Sequence, residues 1–330
     1  MAHGQRLEYP LMNLHNDQEA FSELLQATAE AIGLPQVYVE KDYWVTKALK
    51  HLAQSPHASS VVFKGGTSLS KAYRLIDRFS EDIDLAICFD DATDNQRKKL
   101  IKDIESAASE GLRYIENDDR ESKGSRFRRT VYEYPRLNDE FNFGQASPQL
   151  LIEVNTFTKP EPFEKRQLQS LVADFLTTAD QTTIIAQYEL ESFSINVLSV
   201  KRTLIEKILG VIKDSYSDQP AARLSARIRH LYDICLILRS DEHRSFFTTN
   251  EFTNLLNDCI EDEIKSFGDP HKYFQRKLIE APIFSNAEKW RPSLEATYNT
   301  TFSELVYGDL PPMDEVLNTI TFINEKLQSM

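Results

Sequence analysis

The chain has 330 residues, of which 41% are hydrophobic and 27% are charged, and its formal net charge is −13 at pH 7. This composition is typical of a folded globular protein and excludes wholesale disorder and collagen-like architecture. No apolar run approaches the ~20 residues that cross a bilayer, and the first residues lack the apolar core of a signal peptide, so we expect a cytoplasmic protein without a membrane partner.

Two helices are predicted before the first strand. Apolar residues recur at helical spacing over 21–32, where Asn16 or Asp17 can cap the start of the helix and Gly33 ends it. A second helix is predicted over 39–52. The three cysteines of the chain lie far apart, which predicts neither a disulfide framework nor a zinc site.

A pair of glycines lies between the first predicted strand, over 61–63, and a helix. The residues that join them are Lys64, Gly65, Gly66, Thr67 and Ser68. Since glycine has no side chain, a phosphate group can approach the backbone, and free amides at the start of a helix carry partial positive charge. The hydroxyl groups of Thr67 and Ser68 add donors. Paired glycines alone usually mark only a tight turn, but here they precede an acidic strand and favour a phosphate cradle.

Two aspartates lie on the next predicted strand. Asp82 and Asp84 alternate with the apolar residues of 83–87, so a period of two directs both carboxylates to one face of the sheet. Their Cα atoms are expected ~6–7 Å apart, at ~3.3 Å per residue, so they can share one or two hard divalent cations. A lone pair of this kind more often faces solvent, whereas the glycine turn upstream favours a site for phosphoryl or nucleotidyl transfer.

The middle of the chain is predicted to contain a polar helix over 90–114, a hairpin around 126–134 and strands over 149–157 and 193–197. Glu153 lies on the polar face of the strand over 149–157. If that strand pairs beside Asp82, Glu153 supplies a third oxygen ligand to the cation.

From Ser199, a predicted N-cap, helical patterns dominate to the end of the chain. The sequence therefore predicts an α+β domain over 1–198, with a mixed sheet and flanking helices, and a mainly helical domain over 199–330. Within the second domain, Lys207 lies at the edge of an apolar stripe, as a snorkelling lysine does. Asp233 and Arg229 are four residues apart, opposite the apolar stripe of their helix, which is typical of an exposed ion pair.

Basic residues are concentrated in two segments of this acidic chain. Six basic and two acidic side chains lie over 120–136, and eight basic and four acidic ones over 201–239, a net of +4 in each segment. Such segments can contact the backbone of a nucleic acid, or they can be solvated helix faces and hairpin edges.

The run from Gly65 to Ser68, together with Arg78-Phe79-Ser80-Glu81-Asp82-Ile83-Asp84-Leu85, resembles the first motif of the AbiEii/AbiGii (MenT-like) toxin nucleotidyltransferases of the DNA polymerase β-like superfamily. Glu40-Lys41-Asp42-Tyr43-Trp44 is similar to the helix that precedes the catalytic strand in that family. Further on, Leu204-Ile205-Glu206-Lys207-Ile208 and Arg229-His230-Leu231-Tyr232-Asp233 match its helical lysine and arginine–aspartate segments. The resemblance covers about 39–238.

The resemblance implies a polymerase β-like N-terminal domain and a metal-dependent nucleotidyltransferase that uses Mg²⁺ or Mn²⁺ and an NTP. The acceptor it implies is the 3′ end of tRNA, whose extension blocks aminoacylation, and the partner it implies is a cognate antitoxin. The catalytic residues it implies are Ser80, Asp82, Asp84, Lys207 and Asp233. The residues it implies for the NTP are Lys64, Gly65, Gly66, Thr67, Ser68, Arg78 and Lys207, and those for the metal are Asp82, Asp84 and Glu153.

Several alternatives stay open at the level of the residues. Ser80 contacts phosphate, becomes modified itself, or merely closes the turn that precedes Asp82. Arg78 meets a phosphate with both ends of its guanidinium, or it pairs with Asp77 or Glu81. The acceptor can also be a protein hydroxyl or a small molecule, and a non-catalytic nucleotide-binding protein is the third hypothesis.

Overall fold

The computed structural model describes residues 11–88, 93–138, 143–269 and 272–329. The strands within these ranges are β1 (Val61–Lys64), β2 (Ile83–Ile87), β3 (Arg113–Tyr114), β4 (Ser122–Lys123), β5 (Phe127–Glu133), β6 (Leu150–Asn155), β7 (Phe163–Leu168) and β8 (Phe193–Leu198). They form one mixed sheet in the order β3-β5-β6-β2-β1-β8-β7, with β4 paired to β5. Strand β2 lies at its centre, antiparallel to β1 and parallel to β6.

The α-helices of the same ranges are α1 (Gln18–Ile32), α2 (Gln36–Gln54), α3 (Gly65–Lys71), α4 (Asp94–Ala108), α5 (Leu171–Thr178), α6 (Thr182–Gln187), α7 (Val200–Ser215), α8 (Pro220–Ala226), α9 (Ile228–Ile237), α10 (Asp241–Phe246), α11 (Asn250–Phe267), α12 (Pro282–Ser285), α13 (Arg291–Thr297) and α14 (Met313–Gln328). Across the described part of the chain, none of the helices has the length and apolar character needed to span a bilayer.

Local signals at helix ends act as predicted. The Asp17 side chain accepts a hydrogen bond from the Ala20 amide at the start of α1, and Gly33 ends the helix in the left-handed region, with φ 69°. Ser199 caps α7 by accepting from the amide of Arg202. These caps satisfy amide groups that a helix cannot pair internally, which explains why their positions could be read from the sequence.

Two of the predicted elements are wrong in extent. The predicted helix over 90–114 is α4, which begins after a capping box at Thr93 and ends at Ala108; residues 89–92 lie outside the described ranges. Its last predicted residues instead form β3, paired with β5. The predicted hairpin around 126–134 is almost entirely the single strand β5, because that segment pairs along its length with β6. The turn of the hairpin lies earlier, between β4 and β5.

The chain has two main apolar cores, one of which lies against the sheet. Ile83, Leu85 and Ile87 project from β2 into an apolar core shared with α1, α2, α4 and α5. A second apolar core lies among α7, α9, α11 and α14, and it also includes Leu69 and Ile76 from the N-terminal half. The α+β class is therefore confirmed, with a sheet layer and a largely helical C-terminal part. The boundary between 198 and 199 stays a prediction.

The C-terminal part also contacts the loop that precedes β2. The amide of Phe79 donates to the carbonyl of Leu305 at 2.7 Å. The amide of Tyr307 donates to the carbonyl of Asp77 at 2.9 Å. These bonds flank a bridge between Arg78 and Val306. The chain entering the central strand is thus fixed from outside the sheet.

Candidate active site

Four neighbouring strands bring four charged residues side by side. Lys64 of β1 is the register partner of Asp84 in β2, Asp84 is the partner of Glu153 in β6, and Glu153 is the partner of Arg129 in β5. Because alternate residues of a strand share a face, this row lies on the face opposite the apolar residues of β2. We call these four residues the charged row. Its outer members are cations and its inner members are carboxylates.

The surroundings of Asp84 disfavour its ionised form. Burial, followed by the nearby Glu153 and Asp82 carboxylates, raises the pKa of Asp84 to about 7, although Lys64 and Lys207 act in the opposite direction. Neighbouring negative charges disfavour a second carboxylate unless a cation comes between them. A cation bound beside Asp84 would therefore stabilise its ionised form.

The chain around Asp82 is held by hydroxyl groups. Asp82 lies just before β2 and not within it, so the predicted strand begins one residue too early. The Thr67 hydroxyl donates to the Asp82 carbonyl at 2.6 Å and lies 2.9 Å from the Ser80 hydroxyl. The side chain of Asp82 contributes to the raised pKa of Asp84, so the two carboxylates interact as the spacing predicted.

The glycine turn makes room for side chains of the same protein. Gly65 has φ 80°, which favours glycine, and a Cβ there would overlap the Asp84 carboxylate. A Cβ on Gly66 would overlap the guanidinium of Arg78. The Ser68 hydroxyl donates to the carbonyl of Gly65 at 2.9 Å and is buried. The two glycines thus permit close approach to the backbone, and Asp84 and Arg78 are the groups that use it here.

A buried ion cluster joins the two halves of the chain. Arg78 donates to both oxygens of Asp233, from Nε at 2.7 Å and from Nη2 at 2.9 Å. Lys207 lies 2.8 Å from Asp233 Oδ2. Asp233 is 0% exposed, so the exposed pair with Arg229 that the helical spacing predicts is wrong. Burial alone would raise the pKa of Asp233, but Arg78 and Lys207 hold it well below its ordinary value.

Arg78 therefore pairs with neither Asp77 nor Glu81, the partners considered from the sequence. Its loop is carried against α9, where the side chain is 3% exposed. Lys207 is also buried, at 5% exposure, and so it is not a snorkelling lysine at the surface. Arg78 and Lys207 both pair with Asp233, which is more than twenty residues from either of them in the sequence. Helical spacing gives no information about contacts over such a separation.

Helix α7 supplies a second contact to the charged row. Glu206 accepts from Lys64 at 2.6 Å and from Arg202 at 3.1 Å. These two cations outweigh the effect of burial and lower the pKa of Glu206. Glu206 and Lys207 are adjacent in α7. The same turn of this helix therefore places the Glu206 carboxylate against Lys64 and the Lys207 cation near Asp84.

The sequence reasoning missed two groups that position the site. Lys41 of α2 is buried and donates to Glu81 at 2.5 Å and to the carbonyls of Ser147 and Gln149. Glu81 directly precedes Asp82, so this bond fixes the entry to β2. Arg129, the second, binds Glu153 at 2.6 Å. The segment 40–44 was recognised by resemblance, but only the register of β5 and β6 brings Arg129 to Glu153.

Many cations of the two basic segments pair with acidic side chains, most of which lie outside those segments. Ion pairs within the described residues join Arg128 to Glu105, Arg129 to Glu153, Arg202 to Asp262, Lys213 to Glu263 and Arg227 to Asp214. The local charge available to a nucleic acid is therefore smaller than the composition of these segments indicates.

The donor set fits a hard divalent cation held by few protein ligands. Among the residues that the structure describes, no three acids, histidines or cysteines are grouped so as to hold a metal ion by themselves. Glu153, which the sequence predicts as a third ligand of the cation, instead accepts a hydrogen bond from Arg129. Mg²⁺ is commonly bound by one or two carboxylates together with substrate phosphates, and Asp82 and Asp84 fit that arrangement.

Together these features define an α+β protein in which carboxylates and cations meet at a strand–turn–helix junction. A family model described as the nucleotidyl transferase AbiEii toxin of Type IV toxin–antitoxin systems matches residues 47–319. The chain belongs to this family, which implies an NTP substrate and an antitoxin partner. The match continues well past 238, where the resemblance in motifs ended. No curated protein matches the chain.

Proposed function

We propose that this chain is a metal-dependent toxin that transfers a nucleoside monophosphate from an NTP to the 3′ end of tRNA. The observation that carries the proposal is the charged row, in which Asp84 and Glu153 lie side by side between Lys64 and Arg129. Two carboxylates that repel each other beside a glycine turn favour a cation and the polyphosphate that accompanies it.

Asp82 and Asp84 hold the divalent cation, and Glu153 supports them from the neighbouring strand. When bound, Mg²⁺ or Mn²⁺ neutralises phosphate charge and polarises the α-phosphorus toward attack by a hydroxyl. The Ser80 hydroxyl lies 2.9 Å from that of Thr67 at the glycine turn, and its proposed role is to donate to a phosphate oxygen. The oxygen of the acceptor hydroxyl bonds to the α-phosphorus and its proton passes to water, while the bond from the α-phosphorus to the bridging oxygen breaks and pyrophosphate leaves.

Lys207 contacts the triphosphate, and Asp233 orients it. This assignment is supported by the salt bridge of 2.8 Å between them and by the effect of Lys207 on Asp84. Lys64 and the backbone of the glycine turn complete the phosphate site, with Thr67 and Ser68 shaping the turn from within. Arg78 acts through Asp233, to which both ends of its guanidinium are bound. Catalysis is then mainly positioning and electrostatic stabilisation.

The acceptor is proposed to be tRNA because the family is one of toxins that act by nucleotidyl transfer. Extension of the 3′ end blocks aminoacylation, so translation stops, and the cognate antitoxin relieves the block. Since tRNA and NTPs are cytoplasmic, the proposed reaction belongs to that compartment. Basic side chains of 126–136 and 201–229 are the candidates for contacts with the RNA backbone.

The test is to incubate the full chain with each labelled NTP, a divalent cation, and either total tRNA or a cell lysate. We expect label in tRNA, at its 3′ terminus when the termini are sequenced, and a rate of labelling about 10²–10³-fold lower with Asp84→Asn. Label confined to protein or to small molecules would replace tRNA with another acceptor. No label in any fraction, with NTP binding retained, would leave a non-catalytic nucleotide-binding protein.

A further inference from the structure

Three phenylalanine rings from separate elements lie in contact beside the charged row, the first two stacked and the third tilted by 55° to its neighbour. Phe127 of β5 and Phe157, just after β6, have ring centroids 5.6 Å apart and planes inclined by 20°. Phe157 and Phe267, at the end of α11, have centroids 4.7 Å apart. Phe267 is 47% exposed, among the most exposed large apolar side chains of the described ranges. We call these three residues the aromatic shelf.

Each ring of the aromatic shelf has a cation close to its centroid. The distances are 5.5 Å for Arg129 to Phe127, 5.9 Å for Arg126 to Phe157, and 5.0 Å for Lys213 to Phe267. The Nε of Arg126 is buried and has no hydrogen-bond partner in the described part of the chain. Arg129 and Lys213 also pair with Glu153 and Glu263, so the ring faces and the Arg126 guanidinium are what this surface offers to a ligand with flat rings and negative charge.

The aromatic shelf continues the charged row along the sheet. Phe127 and Arg129 are two residues apart on β5 and share a face, so they are separated by ~6–7 Å. Arg129 connects the two features, since it binds Glu153 at 2.6 Å while lying over the ring of Phe127. At the other end, the hydroxyl of Ser266 donates to the carbonyl of Phe157 and fixes α11 to the sheet.

We propose that the aromatic shelf binds unpaired nucleobases of an RNA end while the terminal hydroxyl of that RNA faces the charged row. The inference rests on the proposed function for the identity of the acceptor. Stacking on aromatic side chains requires bases that are released from a duplex, and neighbouring cations meet their phosphates. A continuous duplex cannot offer its base faces in this way, so the shelf selects single-stranded ends.

The test is the affinity of the full chain for a fluorescent single-stranded RNA of about eight nucleotides, measured by anisotropy. Phe267→Ala is expected to weaken binding about 5- to 150-fold, the range for the loss of one base stack. Phe267→Leu keeps the apolar bulk but removes the ring, and should weaken binding as well. Phe267→Tyr should restore it. Phe163→Ala is the matched control, since Phe163 is 38% exposed on β7, at the far edge of the sheet.

Affinity that is unchanged in both Phe267→Ala and Phe267→Leu would overturn the inference, as would an equal loss in Phe163→Ala. Loss in Phe267→Ala alone would also overturn it, because that result indicates apolar packing without stacking.

Label transfer to tRNA, measured in parallel, separates the two proposals. Transfer that does not depend on Phe267 leaves the proposed function standing without the shelf. RNA binding that depends on the ring, without transfer to tRNA, supports the shelf and contradicts the proposed acceptor.

Discussion

Asp84 and Asp233 are two aspartates in buried surroundings whose pKa values move in opposite directions. Asp233 lies between Arg78 and Lys207, and its pKa is held well below the ordinary value. Burial and then the Glu153 and Asp82 carboxylates raise the pKa of Asp84 to about 7. The same side chain is thus electrostatically satisfied at one position and unsatisfied at the other, and the difference lies entirely in its neighbours.

The comparison separates a charge that supports the fold from one that we propose to act in nucleotidyl transfer. Asp233 has its cations within hydrogen-bonding distance and joins α9 to α7 and to the loop before β2. Asp84 has no such pair of cations at hydrogen-bonding distance among the described residues, and its two register neighbours are Lys64 and the carboxylate Glu153. Perturbed carboxylates that cluster beside a turn are typical of functional sites, whereas fully paired ones support the fold.

The largest effect is expected from breaking the satisfied cluster. Asp233→Asn leaves Arg78 and Lys207 buried without their carboxylate, and we expect a loss of about 3–5 kcal/mol in the free energy of unfolding. Urea denaturation followed by circular dichroism measures this loss. Asp258→Asn, a change at an exposed position of α11, is the control and should leave stability within about 0.5 kcal/mol. A loss below 1 kcal/mol for Asp233→Asn would contradict a structural role.

Asp84→Asn is expected to separate activity from stability. Removing the carboxylate should lower the rate of label transfer by about 10²–10³-fold, comparable to the loss of one preorganised electrostatic contact in other enzymes. The fold should be retained, because the neutral side chain relieves the repulsion with Glu153. Transfer rates with labelled NTP and denaturation of the same preparation measure both effects. Activity retained in Asp84→Asn would show that the charged row is not the active site.

The two aspartates should also give opposite pH dependences of stability. Asp84 ionises near its ordinary value of 3.8 in the unfolded chain but near 7 in the folded one. The folded state therefore binds more protons between these values, so the free energy of unfolding falls as the pH rises from about 4 to 7. In Asp84→Asn, measured with a chelator present, this contribution should vanish. The contribution of Asp233 is present at neutral pH and is lost only in strong acid.

The smallest effect is expected from Glu153→Gln. Glu153 raises the pKa of Asp84 but is itself neutralised by Arg129, so its loss should lower transfer only about tenfold, equal to about 1.4 kcal/mol. The pH at which Asp84 titrates should fall in the same variant. Glu261→Gln, exposed on α11, serves as the control. A loss as large as that of Asp84→Asn would instead make Glu153 a direct ligand.

Much of the local structure was predictable because its causes are local. The alternation around Asp82 and Asp84 predicted β2, and the caps at Asp17 and Ser199 predicted where helices start. The end of α4 was missed because the pairing of β3 with β5 competes with the polar helix. Pairing between strands depends on residues that are distant in the chain, and periodicity carries no information about it.

By itself, the sequence determined which groups could act: a carboxylate pair at the start of one strand, a glycine turn before it, and a motif that resembles the family to which the chain belongs. Only the tertiary structure decided which charges meet. Sheet register set Glu153 beside Asp84 and brought Arg129 to it, and helix packing buried Asp233 with Arg78 and Lys207. The physical reason is that backbone preference acts over a few residues, whereas electrostatic energy depends on distances in space.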